Sequence, residues 1–387
     1  MTETAAVPAD LLLDERDKFE VDDRVAYFNT AQISPLLRSV RAAAEAALDR
    51  RAAAHTLTSR DWFADVDQLR AAYATLLGTR AECIALTPAS SYGLATVAAN
   101  ITVPHGSRVV VLKDEFPSNY YTWERFARQH DAELVVVSRE PGQTWTDAVL
   151  AQIDERASVV AVPNVHWTNG SLVDLVRVAD AAHGVHARLV IDASQSLGVM
   201  SLDLDRLRPD ALVAVGYKWL LGPYSLGPLY IDSSLHGGEP LEQNWISRAG
   251  SDDFSGLAAY RTEYRPGAER YDVGERTNYQ LTPMALAAIR QLNAWRPERI
   301  APSLRRRTDA IAAGLERLGL SVEPADARGP HIIGVSFPGD ALPRVAESLQ
   351  RAGVSLSVRS TSLRIAPHLH TTDADVQRLL EAVAAAL

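Results

Sequence analysis

Seven short apolar runs recur within the first 231 residues, at 82–87 (ECIALT), 108–112 (RVVVL), 133–138 (ELVVVS), 159–165 (VVAVPNV), 188–193 (RLVIDA), 211–217 (ALVAVGY) and 227–231 (GPLYI). Each has the length and the β-branched content of a strand buried on both faces. Most are separated by stretches with helical spacing, such as residues 118–130 (SNYYTWERFARQH). Alternating strands and helices predict an α/β fold, a mostly parallel seven-stranded sheet covered by helices on both sides. In such a sheet ligands bind outside the C-terminal ends of the strands.

From residue 239 to 279 the periodicity disappears and the chain is rich in Trp, Tyr, Arg, Asp and Gly. An aperiodic stretch of that length predicts a functional segment or one wrapped on a partner. After Pro283 the pattern predicts a long helix, then a helix over 303–320, a strand over 331–338, a helix over 341–353, two strands within 354–367 and a terminal helix from 373. The division that follows is an N-terminal arm (1–30), a large α/β domain (31–282) and a smaller α+β C-terminal domain (283–387).

A net charge of −9 argues against nucleic acid as a partner, which binds through clustered cations. The run Arg305-Arg306-Arg307 reads as a solvated helix face. A single cysteine, Cys83, excludes an internal disulfide, and no Cys/His spacing suggests a metal. The acidic N-terminus and the lack of a long apolar run predict a cytoplasmic protein without a membrane partner.

Lysine usage changes the picture. The chain has three lysines, Lys18, Lys113 and Lys218, against thirty-six arginines. Lys218 closes the apolar run ALVAVGYK before a Gly-Pro-rich turn. An amine can lose its proton and attack a carbonyl, which a guanidinium cannot, so Lys218 reads as a reactive amine. Other polar groups fall at predicted strand ends. Ser90 and Ser91, in TPASSYG, open a helix and can bind an anion with its free N–H groups, although Ser there also suits a plain N-cap. Asp192 ends a very apolar strand and either faces the cavity or caps the next helix, with Gln195 three residues on. Phe116, in DEFPSN, presents a ring to the cavity or packs in the core. An anion cradle, an aromatic face, a carboxylate and a lysine together match the phosphate, ring face, ring nitrogen and aldehyde of pyridoxal 5′-phosphate.

On these residues, and on PASSYGL, DEFPSNYYTW, PNVHWTNG, YDVGERTN and SLRIAPHLHTTDADV, the chain resembles the class V aminotransferase family of fold type I pyridoxal-phosphate enzymes. That family includes cysteine desulfurases, kynureninases, isopenicillin N epimerase-like proteins and C–S lyases. The resemblance implies Lys218 as the Schiff-base lysine, Asp192 as partner of the pyridine nitrogen and Gln195 on the phenolic oxygen. Phe116 would stack on the ring, and Ser90, Ser91 and Tyr217 would bind phosphate, with Thr277 or Asn278 completing that site across a homodimer interface. Arg364 would grip the substrate α-carboxylate, with Asn29 and Trp167 beside it. His166 follows a strand and reads as a catalytic or a satisfied structural histidine. Trp167, Trp245, Tyr260 and Tyr264 suit a substrate pocket or an interface.

Two departures from the family pattern stand out. Gly216 occupies a position where many relatives have Ser, which removes one phosphate contact, and no Cys follows Lys218, which disfavours a persulfide mechanism. The expected activity is a β-eliminating lyase acting on C–S bonds of an amino acid or its conjugate. Transamination, epimerisation and decarboxylating or oxidative chemistry are the alternatives, and a cofactor-binding regulator or scaffold is the non-enzymatic rival.

Overall fold

The computed structural model describes residues 11–13, 15–337, 339, 341–359 and 361–387. Twelve strands are β1 (Ala26–Tyr27), β2 (Ile84–Thr87), β3 (Arg108–Leu112), β4 (Glu133–Val137), β5 (Ala157–Pro163), β6 (Arg188–Asp192), β7 (Ala211–Val213), β8 (Gly227–Ile231), β9 (Ile333–Ser336), β10 (Val354–Ser355), β11 (Ser357–Arg359) and β12 (Ser362–Ile365). The helices are α1 (Arg38–Ala52), α2 (Ala64–Leu77), α3 (Ser90–Ala99), α4 (Pro117–Gln129), α5 (Trp145–Leu150), α6 (Leu175–Gly184), α7 (Leu204–Leu207), α8 (Leu281–Trp295), α9 (Pro297–Arg317), α10 (Ala341–Arg351) and α11 (Asp373–Ala384). Among the described residues no helix is long and apolar enough to cross a membrane.

The large sheet has seven strands in the order β2-β8-β7-β6-β5-β3-β4. Only β8 runs against its neighbours, pairing antiparallel with both β2 and β7. Period-two alternation puts successive side chains on opposite faces. Val110, Leu112, Val160, Val162, Leu189 and Ile191 pack into one core with α2, α6 and α8, while Val109, Val111, Val159, Ala161 and Val190 pack into another with α3 and α4. That is why these strands read as unbroken apolar runs.

The C-terminal unit has its own core and an antiparallel sheet in the order β11-β12-β9. Of the segment read as an arm, residues 1–10 and 14 lie outside the described residues; its later part is packed. Phe19 is buried and stacks on Trp295, and β1 pairs in parallel with β10, Ala26 opposite Val354. The apolar stretch after residue 353 holds three strands rather than two, because β10 turns away to meet β1.

Three other expectations change. The strand over 211–217 ends at Val213; Ala214 is apolar because it is buried and Val215 because it lines the cavity half-buried, not because they extend the ladder. In the arginine run only Arg306 is exposed, since Arg307 pairs with Asp373 and Arg305 donates to the Arg328 carbonyl at 2.8 Å. Cys83 is buried in the short turn Ala81–Cys83 that precedes β2, rather than within the strand.

The aperiodic segment is tied down by charge. Asp272 is fully buried, accepts from the Leu86 amide at 2.7 Å and pairs with Arg70 at 2.7 Å and with Arg276. These contacts pin GERTN against the end of β2; breaking one partner of such a buried group typically costs about 3–5 kcal/mol.

His331, His368 and His370 are fully buried around Phe19 and Trp219. His368 has no partner at either ring nitrogen. Burial pushes His331 down to about 3, His370 to about 4 and His368 well below its ordinary value. The unfolded chain protonates these rings near pH 6.5 and the folded chain does not until much lower. Their contribution is therefore complete above pH 6.5 and is lost as pH falls toward 4, by at most about 1.4 kcal/mol per ring per pH unit. Glu115, pushed up to about 8 by burial and by Asp192, offsets one ring. Thermal melts should show Tm falling steadily between pH 6.5 and 5; a flat Tm over that range contradicts the buried neutral cluster.

Candidate active site

The side chains that converge at the C-terminal ends of β2, β3, β5, β6 and β7 are Ser90, Glu115, Phe116, Trp167, Asp192, Ser194, Gln195, Tyr217 and Lys218. Lys218 follows β7 by five residues on a tight turn, with Gly222 N–H donating to the Gly216 carbonyl at 2.9 Å. A Cβ on Gly216 would lie 2.0 Å from the Leu226 carbonyl oxygen. A serine would not fit this backbone, because the turn folds back so closely.

Lys218 is 7% exposed, and its Nζ lies 5.1 Å from the centroid of the Phe116 ring. Desolvation lowers its basicity to about 8, with Asp192 acting the other way and Arg364 and Arg359 adding to the fall. Asp192 terminates β6 and is buried, and Oδ1 accepts from the Ser194 amide at 2.9 Å. Burial holds its carboxyl above the ordinary range, against that hydrogen bond and Lys218.

Phe116 is the N-cap of α4, with Pro117 at the first helical position, so the ring projects from the start of the helix. Ser90 is not a cap. The N-cap of α3 is Ala89, which has no side chain to satisfy the first amides. An uncapped helix start with the buried Ser90 hydroxyl beside it is suited to an anion. Ser91 is exposed and outside the cavity. Tyr217 stacks on Tyr224 at 4.2 Å, and burial raises its phenol to about 12.

Gln195 is oriented by chemistry. The Trp219 indole N–H, a donor only, donates to Gln195 Oε1 at 2.7 Å. The amide NH2 must therefore point the other way, where one hydrogen meets the Ala31 carbonyl at 3.1 Å and the second is left to face the cavity. His331 holds the same residue through its backbone carbonyl.

The wall above is the loop after β5. Trp167 donates to the Asp114 carbonyl at 2.8 Å and meets Phe116 edge-on at 5.6 Å. Its own carbonyl accepts from Arg364 Nη1 at 2.8 Å. The loop lies so close on β9 that a Cβ on Gly334 would stand 2.4 Å from that of Asn169, and only glycine leaves this room. Arg364 is fully buried, with Nε and Nη2 unpartnered, and desolvation together with Arg359 disfavours its charge. Asn29 lies beside the same sheet, where Oδ1 accepts from Ser357 Oγ at 2.6 Å.

Three expected site residues make their contacts outside this chain's cavity. His166 is buried against Trp145, the rings parallel at 5.2 Å, with its nitrogens on Thr168 Oγ1 and the Lys113 carbonyl. Burial lowers it to about 4, and both nitrogens are engaged outside the cavity, the arrangement of a satisfied structural histidine. Thr277 donates to the Trp62 carbonyl, and Asn278 accepts the Gln280 and Leu281 amides at the start of α8. Neither lines this chain's cavity.

Two lining residues escaped the sequence reading. Glu115 accepts from the Phe116 amide at 2.6 Å and leaves Oε2 buried without a partner. Ser194 has a buried, unpartnered hydroxyl. Glu115 sits inside DEFPSN, where only its aromatic neighbour drew notice. Arg359, on β11 beside the strand of Arg364, also drew no notice.

A reactive amine, a buried carboxylate, an aromatic face and an uncapped helix start in one cavity define a pyridoxal-phosphate site of fold type I. Residues 31–379 match the aminotransferase class-V family, and the chain belongs to it. It is similar to kynureninase of Cryptococcus neoformans, 26% identical with 85% of this chain and 80% of that protein covered. It is likewise similar to isopenicillin N epimerase of Streptomyces clavuligerus, 26% identical over 82% and 83% of the two chains. An uncharacterized aminotransferase YcbU of Bacillus subtilis is 25% identical, with 81% of each chain covered. Among solved structures the fold matches the cystine C–S lyase C-DES in complex with cysteine persulfide, at TM-score 0.85 and 18% identity over 94% of this chain and 98% of that one. A cysteine desulfurase from Thermococcus onnurineus NA1 follows at TM-score 0.79 and 19% identity, over 98% of both chains. The chain is thus a pyridoxal-phosphate-dependent enzyme.

Proposed function

We propose that this enzyme is a β-eliminating lyase that breaks a C–S bond in an amino acid or amino-acid conjugate. The observation that carries this reading is the pairing of a dry, near-neutral amine at Lys218 with the lack of any cysteine after it in the sequence. The one thiol, Cys83, is buried before β2, on the far side of the chain's order from the lysine. Sulfur leaving the substrate has no protein acceptor beyond Lys218, so it departs as a free thiol fragment. The C–S lyase among the structural neighbours supports the fold that this chemistry uses.

The cofactor supplies an aldehyde for the substrate amine and a ring that accepts electrons from Cα. Lys218 would hold the cofactor through its amine, and the same Nζ would be the base for the proton at Cα. An amine whose pKa is about 8 is a competent base near neutral pH. Asp192 would keep the ring nitrogen protonated, Gln195 would donate to the phenolic oxygen and Phe116 would cover one face. Ser90 and the first amides of α3 take the phosphate. Arg364 presents its free Nε and Nη2 edge to the substrate α-carboxylate, a planar two-bond contact. Trp167, which fixes the other end of that guanidinium, sets where the carboxylate lies.

The same residues serve transamination or epimerisation, and the aminotransferase and epimerase relatives favour these as the second reading. Incubation with a panel of cysteine conjugates and common amino acids separates them. A lyase should release ammonia, a 2-keto acid and an intact thiol steadily with no keto acid added, and Cys83→Ser should leave turnover nearly unchanged. Ammonia release that stalls until a keto acid is supplied, or α-proton exchange without release of ammonia, contradicts the lyase.

The enzyme is also proposed to act as a homodimer whose residues 239–279 cover the partner's site. Leu241, Trp245, Phe254, Leu257 and Tyr260 are exposed on this segment, Tyr260 at 95%, an apolar face that a monomer would leave in water. Sedimentation should give a dimer, and Tyr260→Glu with Trp245→Glu should weaken it. A monomer with full activity at high dilution contradicts this.

A further inference from the structure

We infer that the cleft holds a second anion site, built on Arg359, and that the substrate is an amino acid with an acidic group beyond its α-carboxylate. The inference rests on the reading of Arg364 as the α-carboxylate anchor.

It begins with strand register. In the antiparallel pair of β11 and β12, Ser357 is opposite Arg364, Val358 opposite Leu363 and Arg359 opposite Ser362. Opposed residues share a face and successive ones alternate. Leu363 is buried in the C-terminal core, so Arg359 and Arg364 lie on the other face, diagonal neighbours turned toward the Trp167 loop. The guanidinium of Arg359 lies 5.4 Å from the centroid of the Trp167 ring, a cation–π contact. Trp167 meets Phe116 edge-on, and Phe116 faces Lys218. Arg359 thus sits at the outer end of an aromatic wall whose inner end is the reactive amine.

Its charge is uncompensated. Among the described residues no carboxylate pairs with Arg359, and its Nε is buried without a partner. Desolvation disfavours its charged form, and the same guanidinium disfavours the charges on Arg364 and Lys218. Asp192 answers the charge of Lys218, and the two arginines are left to need anions.

One carboxylate does not serve both arginines. Nη1 of Arg364 is committed to the Trp167 carbonyl, which leaves Nε and Nη2, one edge of the guanidinium. That edge engages both oxygens of a single carboxylate. The cofactor phosphate belongs at the start of α3, among Ser90 and its amides, not on the C-terminal sheet. Arg359 is left for a distal carboxylate or an equivalent oxyanion, reached along the Trp167 face.

Calorimetric titration of the holoenzyme with propionate, succinate and glutarate tests this, because these acids have no amine and undergo no chemistry at Lys218. Succinate or glutarate should bind about 10- to 100-fold tighter than propionate, the span expected of one charge-assisted contact. Arg359→Leu and Arg359→Gln should bring the dicarboxylates to the propionate level without changing propionate, with cofactor content and melting intact. Equal loss for all three acids would mean that both arginines hold one carboxylate, and an undiminished dicarboxylate preference would mean that Arg359 faces no ligand; either overturns the inference. Arg364→Leu should weaken all three. If it changes none, the anchor reading fails, and that failure is distinguishable from one confined to Arg359.

Discussion

Keeping an amine in a dry site is the constraint on which this architecture turns. Removing Lys218 from water disfavours its charge, two guanidiniums push the same way, and the buried Asp192 carboxylate opposes them. The balance leaves the amine titrating near pH 8 instead of above 10, with a nucleophilic fraction under ordinary conditions. Each term requires a particular placement. Asp192 has to end β6, Lys218 has to turn back immediately after β7, and the C-terminal sheet has to bring its arginines over both. Gly216 and Gly334 are among the points at which these placements demand closer backbone approach than a side chain permits.

The active site lies on a seam. Its floor belongs to the large sheet, where Asp192, Gln195 and Lys218 sit beyond strand ends. Its roof belongs to the C-terminal sheet, joined to the floor through the Trp167 loop, which lies on β9 and accepts from Arg364. Trp219 performs a similar task below: a donor-only indole next to the reactive lysine decides which end of Gln195 faces the cavity. The positions of Arg364 and Gln195 therefore depend on the same packing that unites the two units.

Much of this was legible in the sequence. The strands of the large sheet are buried on both faces, and their apolar runs mark them directly. Lys218, Asp192, Gln195, Phe116 and Ser90 could be found because each follows such a run. The strand over 211–217 was overread because burial in a turn produces the same apolar letters as burial in a ladder. Strand β1 has two residues and a partner more than 300 positions away, so no local pattern announces it. His166 follows a strand just as Asp192 does, and only its stack on Trp145 from another element shows that the ring faces away. Arg359 has a weak signal, two positions from a residue opposite Arg364, which becomes visible only once the register is known.

The central claim is that Lys218 is the covalent cofactor residue. Borohydride reduction of the purified, cofactor-loaded enzyme followed by peptide mapping tests it most directly. A single pyridoxyl modification is expected on the peptide containing Lys218, with Lys18 and Lys113 unmodified. Modification at either of those lysines, or none in protein that holds cofactor, would contradict the account.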